Sequence, residues 1–213
     1  MRPGLHGIYK KLFAFFGPQH WWPAESSFEV MVGAILTQNT NWQNAELAIG
    51  NLKRQGLLDP RRLFGIPKKN LARFIRPAGY YNIKAVRLRN FLTFFLRRYQ
   101  GSCRKMRGQE TAALRQELLS VSGIGPETAD SILLYALEKP VFVVDAYTKR
   151  IFLRHKIIAD GATYEAVQKI FMQNLKTEVK LFNEYHALLV KLGKNFCRKS
   201  QPLCKTCPLG EEA

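Results

Sequence analysis

One carboxylate stands where it can do chemistry. Asp145 closes the apolar run 141-VFVV-144 and precedes a stretch with helical periodicity. An aspartate there makes a helix N-cap, worth about 1 kcal/mol. A carboxylate held so firmly also stabilises developing positive charge and can orient or deprotonate a water molecule. Near the other end, Cys197, Cys204 and Cys207 form C-x6-C-x2-C. In a chain expected to be intracellular these are not disulfide partners, and the spacing reads as a metal site, with zinc one choice. A third feature is 122-SGIGPETAD-130, where Gly-Ile-Gly-Pro interrupts a helical pattern that resumes at once. Gly123 and Gly125 can take positive φ without penalty, Ile124 is expected to point back into the core, and Pro126 to open the next helix. Such a turn aims backbone N–H groups and a helix N-terminus outward, a phosphate site that positions a polyanion without reading sequence.

The elements that must hold these residues are helical. Residues 28–38, 42–53, 87–99, 111–121, 127–137, 147–155, 163–175 and 181–196 carry the 3.6-residue apolar period, and only 141–144 resembles a strand. The fold class is therefore all-α with short connections. Across 213 residues, 33 Lys and Arg against 16 Asp and Glu give a net charge of +17, spread along the chain. That field suits a polyanion. Hydrophobic residues make up 46 %, too many for a disordered chain. No apolar run reaches the ~18 residues that cross a bilayer. The first residues, MRPGLHGIYKK, lack the pattern of a signal peptide, so a cytoplasmic, nucleoid-associated protein without a membrane partner is expected. Trp21, Trp22 and Trp42 lie in polar segments, beside His20, Pro23, Asn39 and Asn41. Such settings favour an aromatic at a cleft over one in a deep core.

The run LSVSGIGPETADSILLYALEKPVFVVDAYTKR resembles the hairpin, helix and catalytic aspartate of the helix-hairpin-helix DNA glycosylases related to endonuclease III. The likeness extends to 33-GAILTQNTNWQNA-45, to 75-IRPAGYYNIKAVRL-88 and to the C-terminal cysteines. It implies two helical lobes with a DNA-binding cleft between them: residues 23–138 as a six-helix lobe bearing the hairpin, and 1–22 plus 139–213 as a second helical lobe with a Cys-rich loop. It also implies an enzyme, a monomer on double-stranded DNA, that flips a damaged base and cuts its N-glycosidic bond. Asp145 then takes the catalytic role, stabilising an oxocarbenium-like sugar. Gly123, Ile124, Gly125 and Thr128 form the DNA-binding hairpin, Gln38 and Asn39 fall where the family inserts a polar plug, and Tyr80 where it places a second wedge.

The combination of WWP, QNTNW, GIGPETAD and VVDAY resembles the alkylpurine branch, which excises 3-methyladenine and related bases. In that branch Trp21, Trp22, Trp42, Glu127 and Lys194 fall around the base pocket. A methylated purine is cationic, so indole faces attract it by about 0.5–2 kcal/mol, and its charge makes it a good leaving group. Family members that also cleave the DNA backbone carry an imine-forming lysine where this chain has Glu127, which implies base removal without lyase action. The cysteine spacing matches the loop that holds a [4Fe–4S] cluster; three of four ligands are present, the fourth falling at Ala213. Two further readings stay open here. One is a glycosylase for another lesion, uracil, a thymine mismatch or an oxidised pyrimidine; the other is a non-catalytic DNA-binding hairpin protein.

Overall fold

The computed structural model describes residues 4–210. Position 213, where the fourth cluster ligand was expected, lies outside them. The chain divides into two compact units, Met1–Pro23 with Pro140–Ala213, and Ala24–Lys139. Helix α1 (Leu5–Phe16) opens the first unit. The second holds α2 (Ser27–Leu36), α3 (Trp42–Arg54), α4 (Pro60–Gly65), α5 (Lys68–Phe74), a 3-10 turn at Arg76–Ala78, α6 (Tyr81–Tyr99), α7 (Cys103–Arg107), α8 (Thr111–Leu119) and α9 (Pro126–Ser131). A π-helical turn, Ile132–Ala136, prolongs α9. Helices α10 (Ala146–Arg154), α11 (Tyr164–Asn174) and α12 (Val179–Asn195) complete the first unit. Among the described residues there is no strand, and no helix is long and apolar enough to cross a membrane.

In the Ala24–Lys139 unit, α2 is buried from Phe28 to Leu36, which is why its sequence reads as almost unbroken hydrophobic. Its start is set by Ser26, whose side chain accepts from Glu29 N at 3.1 Å, while Glu29 Oε2 accepts from Glu25 N at 3.1 Å. Glu29 is itself buried, and Lys53 Nζ pairs with it at 2.8 Å. Helix α6 packs beside α2 through Phe28, Phe91 and Phe95, whose rings stack at 6.0 and 5.6 Å. The hairpin helices α8 and α9 are joined by a two-toothed ion pair: Arg115 Nε to Asp130 Oδ1 at 2.7 Å and Nη2 to Oδ2 at 3.0 Å. Asp130 has no exposed surface, so this pair carries the strength of a charge-assisted bond out of water.

In the other unit, a cluster of rings forms the core, with Phe142 stacked on Phe171 at 3.7 Å and Tyr185 donating its hydroxyl to Leu5 O at 2.8 Å. The expectation of a strand at 141–144 fails for a specific reason. Backbone polar groups inside a fold need partners, and here they come from the side chains of α11. Phe142 N donates to Met172 Sδ at 3.4 Å, Val144 N to Tyr164 Oη at 3.3 Å, and Phe142 O accepts from Gln168 Nε2 at 2.6 Å. The run is extended without a ladder, and it delivers Asp145 to the start of α10.

Candidate functional site

Asp145 caps α10: its Oδ1 accepts from Thr148 N at 2.7 Å. The carboxylate is therefore fixed by the backbone of the helix it starts. Its Oδ2 lies 3.7 Å from Nε2 of His186 on α12, and the Asp145 side chain keeps 12 % of its surface exposed. Burial lowers the His186 pKa below its ordinary value, against the opposing pull of the Asp145 charge. The imidazole beside the carboxylate is therefore neutral at neutral pH, and the contact is not an ion pair. The edge of the Phe142 ring packs on the imidazole at 6.5 Å, which holds its plane. Thr148 has no exposed surface, and its hydroxyl has no hydrogen-bond partner, an orphaned polar atom one turn from Asp145. The sequence offered one signal for His186, a lone histidine in the apolar pattern of 181–196, and the reading passed over it.

The same helix holds the cysteine loop. Arg150 donates to Cys197 O at 2.7 Å and to Gly193 O at 3.1 Å. Arg154 reaches Cys197 Sγ at 3.3 Å, Arg198 O at 2.5 Å and Lys199 O at 2.9 Å. Cys197 is buried, Cys204 exposed and Cys207 between the two. Gly210 closes the loop where a Cβ would overlap Cys204 O. Burial, with Cys197 and Cys204 nearby, raises the Cys207 thiol. Yet among the described residues no group of three His, Cys, Asp or Glu side chains converges as a metal-ion ligand set. Cys103 lies in the other unit, at the start of α7.

The other predicted residues of the first unit are Trp21, Trp22 and Lys194. Trp21 and Trp22 are half-buried, with their rings 5.2 Å apart and inclined at 50°, and Lys194 is exposed near the end of α12. A hollow of about 540 Å³ lined by His6, Tyr9, Phe13 and Glu184 also belongs to this unit and includes none of the predicted site residues.

In the Ala24–Lys139 unit one of the two hairpin glycines uses the positive φ open to both. Gly123 has φ +96, but Gly125 has φ −93 and is the extended N-cap of α9. A Cβ on Gly123 would overlap the Arg87 stem, whereas one on Gly125 meets nothing within 4 Å. Gly123 is thus demanded by the fold, while Gly125 leaves open space in front of its backbone. Ile124 is buried and Pro126 begins α9, as expected. Glu127 is exposed in the first turn of α9.

Gln38, Gly123 and Thr128 come together. Gln38 Nε2 donates to Gly123 O and to Thr128 Oγ1, both at 2.9 Å, and its Oε1 accepts from Arg87 Nη1 at 2.6 Å. An arginine only donates, so the orientation of the Gln38 amide is determined and all its bonding capacity toward these partners is used. Asn39 and Tyr80 are exposed, and both have left-handed backbones, at φ 52 and φ 44. Trp42 is half-buried at the first position of α3. Sequence reading missed Arg87 and Lys84, whose signal, two basic residues in an amphipathic helix, is shared by any solvated face.

The family model for HhH-GPD superfamily base excision DNA repair proteins matches residues 32–177. A provisionally named DNA repair glycosylase of Methanocaldococcus jannaschii is 49% identical over 209 residues, covering 97% of this chain and 94% of the relative. Endonuclease III of Thermotoga maritima is 26% identical over 183 residues, covering 84% of this chain and 79% of the enzyme. Among solved structures, the H. pylori 3-methyladenine DNA glycosylase MagIII bound to 1,N6-ethenoadenine matches with a TM-score of 0.78 at 30% identity, covering 88% of this chain and 95% of that one. A non-covalent endonuclease III–DNA complex shares the fold, with a TM-score of 0.82 at 19% identity over 98% of this chain and 93% of that one.

Proposed function

The chain belongs to the HhH-GPD superfamily of base excision DNA repair proteins and is a DNA glycosylase, and from that premise we propose that it hydrolyses the N-glycosidic bond of flipped methylated purines such as 3-methyladenine and leaves an abasic site. The observation that carries the reading is the restraint on Asp145. Its carboxylate is pinned through Oδ1 to the start of α10 and still keeps a solvent-reachable edge. As the bond to a cationic purine lengthens, positive charge grows on the sugar, and a fixed carboxylate stabilises it without reorganising. The same group orients the water that attacks C1′ and accepts the proton that water gives up, and the purine leaves with the electron pair of the broken bond, which neutralises its own charge. Neutral His186 adds no competing positive charge next to Asp145.

Hydrolysis without lyase action is supported by Glu127 at the exposed start of α9, since a carboxylate forms no imine. Two lysines, Lys139 and Lys149, are engaged by backbone carbonyls: Lys139 Nζ donates to Gln109 O at 2.6 Å and Lys149 Nζ to Ala162 O at 3.2 Å. The methylpurine substrate is supported by the paired rings of Trp21 and Trp22, by Trp42, and by the 30% identity to MagIII. The hairpin would grip a DNA phosphate at the open face of Gly125, and Asn39 and Tyr80 would enter the duplex, with Gln38 tying the base of the Asn39 turn to the hairpin. A [4Fe–4S] cluster rests on the cysteine spacing alone, and iron analysis of freshly prepared protein tests it.

The deciding experiment incubates the protein with methylated duplex and with uracil-containing duplex and identifies the freed bases by chromatography. Free 3-methyladenine with no borohydride-trapped protein–DNA adduct is the expected result. Release of uracil alone would move the substrate to another lesion, and a strong trapped adduct would overturn the hydrolytic assignment.

A further inference from the structure

Lys84 is 1 % exposed, an unusual place for an ammonium. Its Nζ donates to Leu36 O at 2.8 Å and to Ala78 O at 2.7 Å. Leu36 ends α2 and Ala78 ends the 3-10 turn, so one buried cation caps two helix C-termini, where carbonyls lack partners and the dipole is negative. Each capped end leads within three residues to a left-handed, exposed residue: Leu36 to Asn39, and Ala78 to Tyr80. One turn further along α6, Arg87 holds Gln38 at 2.6 Å and its stem fills the space that Gly123 leaves free. A further turn along, Asn90 Nδ2 donates to Ser122 O at 3.0 Å. Three successive side chains of one helix thus fix three separate turns, at 36–39, 78–80 and 122–123.

We propose that the Lys84–Arg87–Asn90 edge of α6 is a positioning ladder that holds the duplex-entering residues Asn39 and Tyr80 in register with the hairpin, so that it serves the opening of the duplex and not the cleavage of the bond. The inference rests on the assignment of Asn39 and Tyr80 made above. The physical argument is geometric. A left-handed turn carried on a free loop spends binding energy on being ordered, and buried charged hydrogen bonds at its base remove that cost before DNA arrives. The ammonium suits this work because its three donors, on a long stem, reach both carbonyls at once.

The test uses duplex DNA with 2-aminopurine paired to thymine, and the same strand with the 2-aminopurine in a single-base bulge. Binding is read by anisotropy and unstacking by the rise in 2-aminopurine fluorescence at saturating protein. For Lys84→Met the ladder predicts a paired-site unstacking signal reduced about tenfold, the scale of one lost charged anchor, with the bulge signal and the affinity changed less than about threefold. Arg87→Met, at a half-buried position, should show the same split and decides the matter if Lys84→Met does not fold. Equal loss at paired and bulged sites, or no loss at either, would overturn the ladder. If the unaltered protein itself produced no unstacking in the paired duplex, the base-excision assignment would fall first, and that outcome is distinct from a failure of the variants alone.

Discussion

The two hairpin glycines separate folding from binding in a way that two substitutions can expose. Gly123→Ala must hold an alanine at φ +96, outside the region that L residues favour, at a cost of about 1–2 kcal/mol. Its new methyl would overlap the Arg87 stem close to the helix, where the side chain cannot swing away cheaply. Arg87 then moves, and the 2.6 Å bond to Gln38 is lost, adding about 1.5–3 kcal/mol for a hydrogen bond to a charged group. The sum places Gly123→Ala about 2.5–5 kcal/mol below the unaltered protein in a urea unfolding experiment followed by circular dichroism. Gly125→Ala has an ordinary φ of −93 and open space before it, so its stability should stay within about 1 kcal/mol. Its methyl would stand where a phosphate approaches, and DNA affinity should fall about tenfold, as for 1.4 kcal/mol of lost contact. A Gly123→Ala protein as stable as the original would refute the reasoning, as would a Gly125→Ala protein that loses stability but binds DNA unchanged.

Three further outcomes follow from the buried charges. Burial and the nearby Arg87 lower the Lys84 pKa to about 8. Between pH 8 and its ordinary value the unfolded chain binds the proton that the folded one releases, so stability rises with pH through this window; urea unfolding should show that rise in the unaltered protein and not in Lys84→Met. His186, lowered by burial, must stay neutral in the fold and charge on unfolding, so stability falls as pH drops below its ordinary value, and His186→Gln should flatten that fall in the same assay. Asp130→Ala removes the buried carboxylate that Arg115 bonds through two nitrogens and should cost about 3–5 kcal/mol in thermal or urea unfolding, because one partner of a buried pair is removed.

What the sequence made legible was local. Pro126 at the first turn of α9, Ile124 in the core and Asp145 as the cap of α10 each depend on residues within three positions, and all appear as read. The strand reading of 141–144 failed because four apolar residues look alike whether a neighbouring strand or the side chains of α11 satisfy their backbone. Positive φ is open to both hairpin glycines and only Gly123 uses it, because glycine permits that conformation without requiring it. Gln38 falls where the family inserts a polar plug; its partners Gly123 and Thr128 lie 85 and 90 positions away, and no local pattern announces such a tie. Lys84, Arg87 and His186 stayed hidden for the same reason: a charge on a helix reads as solvated until the carbonyls or the carboxylate it faces are known. The short α7, capped by Ser102 and five residues long, was lost in the glycines that flank it.

The most direct test of the central claim is the single-turnover release of 3-methyladenine by Asp145→Asn. The amide keeps a cap oxygen for Thr148 N but carries no charge, so the fold and the DNA affinity should persist while the rate of base release falls by roughly 10²–10⁴-fold. Release at the unaltered rate, with the variant shown to be folded and bound to DNA, would contradict the assignment of the carboxylate and with it the proposed hydrolysis.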